Sequence, residues 1–166
     1  MKTKFELNKQ QIDELIFIME QNAEDAPILE LTLSNWFIEF GQEGLIQTPI
    51  GLVKMGENQY NKLIKACREK EFGMIKPTLT NPDIILEKST HAKDGDVTER
   101  ASSLLFVKTF HYGGKIVKFF MSVTVRREEM EVVVSNHIIT RKGFENNIRK
   151  SVFAYKNKRL APNSSD

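Results

Sequence analysis

Apolar residues recur at helical spacing in the first half of the chain. One group follows the i, i+3, i+4, i+7 pattern: Ile12, Leu15, Ile16 and Met19. Asn8, a residue type that caps helix N-termini, precedes this group, so we expect a helix over residues 9–22. A second stripe predicts another helix that ends near Gly73: Tyr60, Leu63, Ile64 and Cys67. Between them, the pattern of residues 28–40 fits a strand that runs into a turn without deciding the point, and residues 48–55 indicate a short strand.

From residue 83 onward, apolar and polar positions alternate with a period of two, which is typical of strands. Four such segments cover residues 83–88, 103–110, 115–126 and 130–139. The connections at 112–114 and 127–129 are short enough for hairpins, which favours an antiparallel meander. Helical spacing then returns with Phe144, Ile148 and Val152. We therefore predict an α+β fold, in which N-terminal helices pack on a roughly four-stranded antiparallel meander sheet with a C-terminal helix.

Composition narrows the class of protein. The single cysteine, Cys67, excludes an internal disulfide and a zinc site built from several cysteines. No apolar run approaches the roughly 20 residues of a membrane-spanning helix. The first residues also lack the apolar core of a signal peptide. These features predict a protein of the reducing cytoplasm that has no membrane partner.

Charge is distributed unevenly along the chain. Residues 1–45 carry 3 basic and 9 acidic side chains, a net charge of −6, whereas residues 46–166 carry 21 basic and 13 acidic ones, a net charge of +8. A basic excess favours a polyanionic partner, because Lys and Arg release counterions from phosphates. A solvated helix face followed by a loose tail explains the same charges without a partner. The split predicts an acidic, largely helical extension at 1–45, and a disordered tail is expected at 157–166. The segment between them, 46–156, is called the main domain below.

Six segments of the main domain, in this order, resemble a known group of nucleases. They read TPIG at 48–51, MGENQYNKL at 55–63, KPTLTNPDIILE at 76–87, LFVKTF at 105–110, SVTV at 122–125 and SNHI at 135–138. Together they are similar to the phage-type nuclease-like domains of the barnase–EndoU–colicin E5/D–RelE superfamily, in particular its second phage subfamily. The resemblance implies a nuclease-like effector of mobile-element origin, with an RNA-cleaving site on one face of the sheet. It also implies a metal-independent RNA endonuclease that needs no cofactor, with tRNA among the candidate substrates and a neutralising protein as a candidate partner.

Ribonucleases of that superfamily use the 2′-OH of RNA as the nucleophile, so their site needs a base, an acid and cations around the phosphate. His137 suits proton transfer, because the usual pKa of an imidazole is about 6.5. It lies two residues after Ser135, so both side chains share one face of a strand, opposite the apolar Val134 and Ile138. A histidine hydrogen-bonded at a strand edge is the alternative interpretation.

Other polar residues complete the candidate site. Lys108 interrupts an apolar strand and is expected to hold the scissile phosphate, although such a lysine also reaches solvent along the sheet. Arg100 is a candidate for a bidentate contact with the phosphate, and Glu87 is a candidate general base. A surface ion pair between these two residues explains them equally well. The substrate-binding candidates are Ser122, Thr124, Thr78 and Arg141. For Ser122 and Thr124, the alternative is ordinary strand surface. For Thr78 it is a hydroxyl that stabilises a turn, and for Arg141 it is a solvated helix face.

The same fold also admits a protein without catalytic activity, because a fold does not determine a function. The alternative to the nuclease is therefore a non-catalytic module that binds nucleic acid or protein.

Overall fold

The computed structural model describes residues 7–90, 101–114 and 116–160. Its helices are α1 (Lys9–Gln21), α2 (Leu33–Phe40), α3 (Gln59–Lys65), α4 (Phe72–Thr80) and α5 (Arg141–Arg149). Its strands are β1 (Glu24–Asp25), β2 (Leu45–Thr48), β3 (Gly51–Met55), β4 (Ile84–Thr90), β5 (Ala101–His111), β6 (Val117–Arg127), β7 (Met130–Ile139) and β8 (Ser151–Lys156). Short 3-10 helices lie at Glu69–Glu71 and Lys158–Leu160.

The strands form one mixed sheet in the order β2-β3-β7-β6-β5-β4-β8, and β1 pairs beside the end of β5. Antiparallel pairs join β4 to β5, β5 to β6 and β6 to β7. However, β3 pairs with β7 in parallel, and β1 pairs with β5 in parallel. The α+β class holds, but the predicted four-stranded antiparallel meander is wrong, because the sheet has eight strands and mixed pairing.

The strands that escaped prediction are short or directly follow a helix. β1 and β2 have two and four residues, too few for a period of two to stand out, whereas β3 lies within the short strand predicted at 48–55. Val152 continues the helical spacing of Phe144 and Ile148, but α5 ends at Arg149 and the chain enters β8 at Ser151. β8 then pairs antiparallel with β4, so a strand and not a helix closes this edge of the sheet.

The sheet separates two apolar layers. Alternation along β5 sends Phe106 and Phe110 to a first face and Leu105 and Val107 to a second face. The first face packs against α2 and α4, and the second face packs against α1 and α5. Side chains on opposite faces of the sheet therefore cannot share one site.

Residues 7–40 belong to these layers. Asn8 and Gln11 form a capping box that starts α1. Ile12 and Ile16 of α1 are fully buried against residues of β4 and β5. The expected boundary at residue 45 does not fit this packing, because removing α1 would expose the second face of the sheet.

Residues 28–40, which the sequence left open, contain a helix. The Thr32 hydroxyl accepts a hydrogen bond from the Asn35 backbone N–H and caps α2, and Gly41, at φ 75°, ends it. Trp36 of α2 stacks on Phe72 of α4, with ring centroids 5.6 Å apart. α2 is thereby fixed to the first face.

The packed structure also extends past the predicted start of the tail at residue 157. Asn157 is buried and donates hydrogen bonds from its side chain to Asn81 Oδ1 and the Pro82 carbonyl, both at 3.0 Å. Leu160 is fully buried in the second face. Residues 161–166 lie outside the described part of the chain.

Candidate active site

The partner of β7 changes halfway along the strand. β3 accompanies β7 only to the Met55–Val133 pair, after which Gly56 N–H donates to the Val133 carbonyl at 3.0 Å. Beyond this point no described strand continues on the β3 side of β7, although β6 still pairs with its other side. The second half of the strand therefore has an edge whose backbone groups need partners from elsewhere.

Side chains from α3 and the 3-10 helix that follows it supply these partners. Lys62 Nζ donates to the Val134 carbonyl at 3.0 Å, and Arg68 Nη1 donates to the Asn136 carbonyl at 2.7 Å. The Glu71 carboxylate accepts a hydrogen bond from the Ile138 backbone N–H. A cation and a carboxylate thus lie side by side along the edge of β7.

A sharp turn after α3 places Arg68 and Glu71 there. Cys67 has a positive φ of 54°, and the Arg68 N–H bonds back to the Leu63 carbonyl at 2.8 Å, which ends the helix. The 3-10 helix Glu69–Glu71 follows at once. Since side chains three residues apart share one side of a 3-10 helix, Arg68 and Glu71 both face β7.

Ser135 and His137 lie on the same strand, and Ser135 Oγ is 2.9 Å from His137 Nδ1. The register pairs Met121 with His137, so both polar side chains belong to the second face. Burial lowers the pKa of His137 below its ordinary value of 6.5, and the positive charge of Arg68 lowers it further. His137 is therefore neutral at pH 7 and able to accept a proton.

Glu71 has the opposite perturbation. Its side chain is 8% exposed, and its Oε1 atom has no hydrogen-bond partner among the described residues. Burial raises the pKa of Glu71 above its ordinary value of 4.5, although Arg68 and the Ile138 N–H partly oppose this shift. A buried carboxyl of this kind holds a proton at higher pH than a solvated one. Arg68, Glu71, Ser135 and His137 are called the β7 cluster below.

Buried amides fix the strand that carries this cluster. Ser122 Oγ donates to Asn136 Oδ1 at 2.7 Å, and Asn136 Nδ2 donates to Gln59 Oε1 at 3.0 Å. These contacts lie on the first face, opposite His137. Ser122 and Thr124 are fully buried, and Thr124 Oγ1 donates to Glu131 Oε1 at 2.8 Å. The two predicted substrate-binding hydroxyls thus make internal bonds and are shielded from solvent.

Lys108 is also placed away from the β7 cluster. It pairs in register with Phe120 and faces the first side of the sheet, with only 1% of its side chain exposed. Its Nζ contacts Glu24 Oε2, lies 4.0 Å from Asp83 Oδ1 and donates to the Asn81 carbonyl at 2.7 Å. Arg159 joins the same carboxylates, at 2.6 Å from Asp83 and 3.1 Å from Glu24. The phosphate-holding lysine expected from the sequence is instead part of an internal ion-pair network of Glu24, Asp83, Lys108 and Arg159.

Three of the remaining predicted residues lie in the described part of the chain: Thr78, Glu87 and Arg141. Thr78 is fully buried in α4, and its hydroxyl donates to the Met74 carbonyl at 2.7 Å. Glu87 pairs in register with Leu104, which places it on the first face. Arg141 starts α5 and forms an ion pair with Asp13 at 3.1 Å. Arg100 lies outside the described residues.

Two members of the β7 cluster, Arg68 and Glu71, were missed from the sequence. Both fall in the run REKE at 68–71, which has the composition of an ordinary solvated turn. These two side chains bind the edge of β7 because β3 leaves β7 after Met55. The pairing of β3 with β7 is not visible in the local sequence. No local pattern could have found them.

No protein-family model, curated protein or solved structure matches this chain. None of the described helices has the length and apolar character that crossing a membrane requires. Function is therefore inferred from the chain's own geometry and charges.

Proposed function

We propose that this protein is a metal-independent RNA endonuclease that cleaves by transesterification through the RNA 2′-OH. The observation that carries the proposal is the β7 cluster, which groups a neutral histidine, a buried carboxyl with a raised pKa and an arginine along one strand. Groups whose environments perturb their pKa values are typical of sites that transfer protons. The resemblance of residues 46–156 to phage-type nuclease domains supports the same activity.

Each member of the cluster has a role in this reaction. Neutral His137, oriented by Ser135, takes the proton of the 2′-OH, whose oxygen then attacks the adjacent phosphorus. The bond from phosphorus to the 5′ oxygen breaks, and the leaving oxygen takes a proton from the carboxyl form of Glu71, which burial favours by raising the pKa. The products are a 2′,3′-cyclic phosphate and a 5′-OH end.

Arg68 stabilises the charge that develops on the phosphate during this step. One of its nitrogens is occupied by the Asn136 carbonyl, which holds the guanidinium in place. Its other N–H groups make no hydrogen bond to a described residue and remain available for phosphate oxygens. The basic excess of residues 46–166, including Arg141, attracts RNA without sequence preference. RNA as substrate, a neutralising partner protein and a cytoplasmic location all belong to this proposal.

The test is incubation of the purified protein with total RNA and with tRNA in EDTA, followed by analysis of the product ends. We expect cleavage with 2′,3′-cyclic phosphate ends, and a loss of roughly 10²–10⁴-fold in rate for His137→Ala. The matched control is His111→Ala, which changes the histidine at the end of β5, away from the cluster. Equal activity of His137→Ala and the wild type would assign proton transfer to other residues.

A non-catalytic module that binds nucleic acid or protein is the second candidate. It is favoured by the internal contacts of Lys108, Ser122 and Thr124, which leave the first face without a catalytic group at these positions. The same experiment separates the two functions. Salt-sensitive RNA binding without any cleavage would select the module.

A further inference from the structure

The outer side of α2 exposes large apolar side chains. Trp36 and Phe40 of this helix are buried, whereas Leu33, Phe37 and Ile38 are 55%, 39% and 75% exposed. The segment before the helix adds two more, with Ile28 at 96% and Leu29 at 36%. Single exposed apolar residues are ordinary, but five within eleven positions mark a site of interaction. These five residues are called the α2 surface below.

Two grooves adjoin the α2 surface. Ile28 and Leu29 line the first, together with Leu31 and Tyr112. Leu33 and Phe37 line the second, which has Trp36, Tyr60 and Met130 in its wall. Pro27, which also lines the first groove, is packed by its carbonyl so closely against Gly73 of α4 that any Cβ there would overlap it. Both grooves are thus preformed apolar clefts that side chains of a partner can enter.

The grooves have an acidic rim. Glu30 and Glu69 border the first groove with Lys70, and Glu43 and Glu57 border the second with Lys54. Four carboxylates and two amines give this region a net charge of −2, opposite in sign to the +2 of the whole chain. The rim repels the phosphates of RNA and of anionic lipids and attracts cationic side chains.

We propose that the α2 surface docks an amphipathic helix of a partner protein, with apolar residues on one face and Lys or Arg beside them. An amphipathic helix presents apolar anchors at i, i+3, i+4 and i+7, which suits two apolar grooves that are each lined by residues of the α2 surface. Its basic residues pair with the rim carboxylates and determine its orientation. The docking site shares no residue with the β7 cluster, although Glu69 of its rim lies next to Arg68 in the chain.

The probe is a fluorescein-labelled 18-residue peptide of Leu and Lys, with the leucines on one helical face. A second peptide has Glu in place of every Lys, and a third has the first composition in scrambled order. Fluorescence anisotropy should show that the first peptide binds at least tenfold more tightly than the other two, and that added salt weakens its binding.

Variants of the protein locate the binding site. Ile28→Ser with Ile38→Ser should weaken binding of the first peptide at least tenfold while the melting temperature is retained. Phe17→Ser is the matched control, because Phe17 is 61% exposed on α1 and lies outside the α2 surface. Glu30→Lys with Glu69→Lys leaves the apolar residues intact and should remove the preference for the lysine peptide, which keeps the test decisive if the serine variant does not fold.

Several results would overturn the proposal. Equal binding of the lysine and glutamate peptides would show that the rim does not select the partner. An equal loss of peptide binding in Phe17→Ser would show that the α2 surface is not the binding site. A dimer seen by sedimentation velocity that Ile28→Ser with Ile38→Ser abolishes would make a second copy of this chain the occupant. Binding to anionic vesicles that requires Ile28 and Ile38 would make the occupant a membrane.

Discussion

The ion-pair network and the β7 cluster both contain charged side chains, and they differ in how these charges are compensated. The ion-pair network contains two cations and two carboxylates, and Lys108 and Asp83 at its centre are buried and mutually compensated. In the β7 cluster, the Glu71 carboxyl is buried with one oxygen unpartnered, and the pKa values of Glu71 and His137 are both perturbed. The first arrangement holds elements together, whereas the second leaves groups that can still exchange protons. A charge in an apolar strand is therefore a poor marker of a site unless its partners are known.

The largest expected effect is on stability, in the ion-pair network. Lys108→Ala leaves the buried Asp83 with one cation fewer and removes the donor to the Asn81 carbonyl, so we expect a loss of about 3–5 kcal/mol in the free energy of unfolding. Urea unfolding measures it. Lys76→Ala, in α4 beside the same cleft, is the control and should cost little. A Lys108→Ala protein of normal stability that no longer cleaves RNA would place Lys108 in the active site after all.

The next largest effect is on activity, in the β7 cluster, where changing Glu71 should slow cleavage with little change in stability. Glu71→Gln retains an acceptor for the Ile138 N–H but cannot donate the proton, so cleavage should fall roughly 10²–10⁴-fold. Because Gln has nearly the size and shape of the neutral carboxyl, the free energy of unfolding should change by no more than about 1 kcal/mol. Glu69→Gln, on the same 3-10 helix and exposed, should change neither quantity. A large loss of stability in Glu71→Gln would make this carboxylate a structural group like those of the ion-pair network.

Arg68→Gln tests the electrostatic link between the members of the cluster. The charge of Arg68 lowers the pKa of His137, so its removal should raise that pKa, and an NMR titration of the imidazole measures the shift. Cleavage should also fall, by about 10²-fold, because one cation on the phosphate is lost. Lys65→Gln, at the end of α3, is the control. An unchanged His137 pKa would show that Arg68 and His137 act separately.

The smallest effect is the contribution of His137 to the pH dependence of stability. Because its pKa is lowered in the folded protein, the unfolded chain binds more protons just below pH 6.5, and stability falls as the pH drops through this window. Glu71, whose pKa is raised, acts in the opposite direction nearer its ordinary value of 4.5. Thermal melts at pH 7 and pH 5.5 should therefore show that His137→Gln loses less stability on acidification than the wild type, by under about 1 kcal/mol. An equal loss in both proteins would mean that His137 keeps its ordinary pKa in the fold.

Local signals explain what could be predicted from the sequence. The periodicity of α1 and the alternation along β4, β5, β6 and β7 persist over enough residues to be visible, and the same alternation puts Ser135 and His137 on one face. The parallel pairing of β3 with β7 depends on segments about 80 residues apart and has no local signature. The internal role of Lys108 likewise depends on Glu24, Asp83 and Arg159, which lie far from it in the chain. Sequence patterns thus predict the long helix and the long strands well, and they predict short strands and charge partners poorly.

Residues near 160 pack against the first half of the chain, as in the contact between Arg159 and Glu24, and this affects when the protein can fold. β8 is an outer strand beside β4, and Leu160 fills the same apolar layer as α1. A nascent chain grows at about 5–20 residues per second, and until residues near 160 have left the ribosome its α1 and β4 lack these partners. The layer around α1 and β4 is therefore completed only after residue 160 has been synthesised, which leaves an interval of several seconds in which apolar surface is open to chaperones or to aggregation.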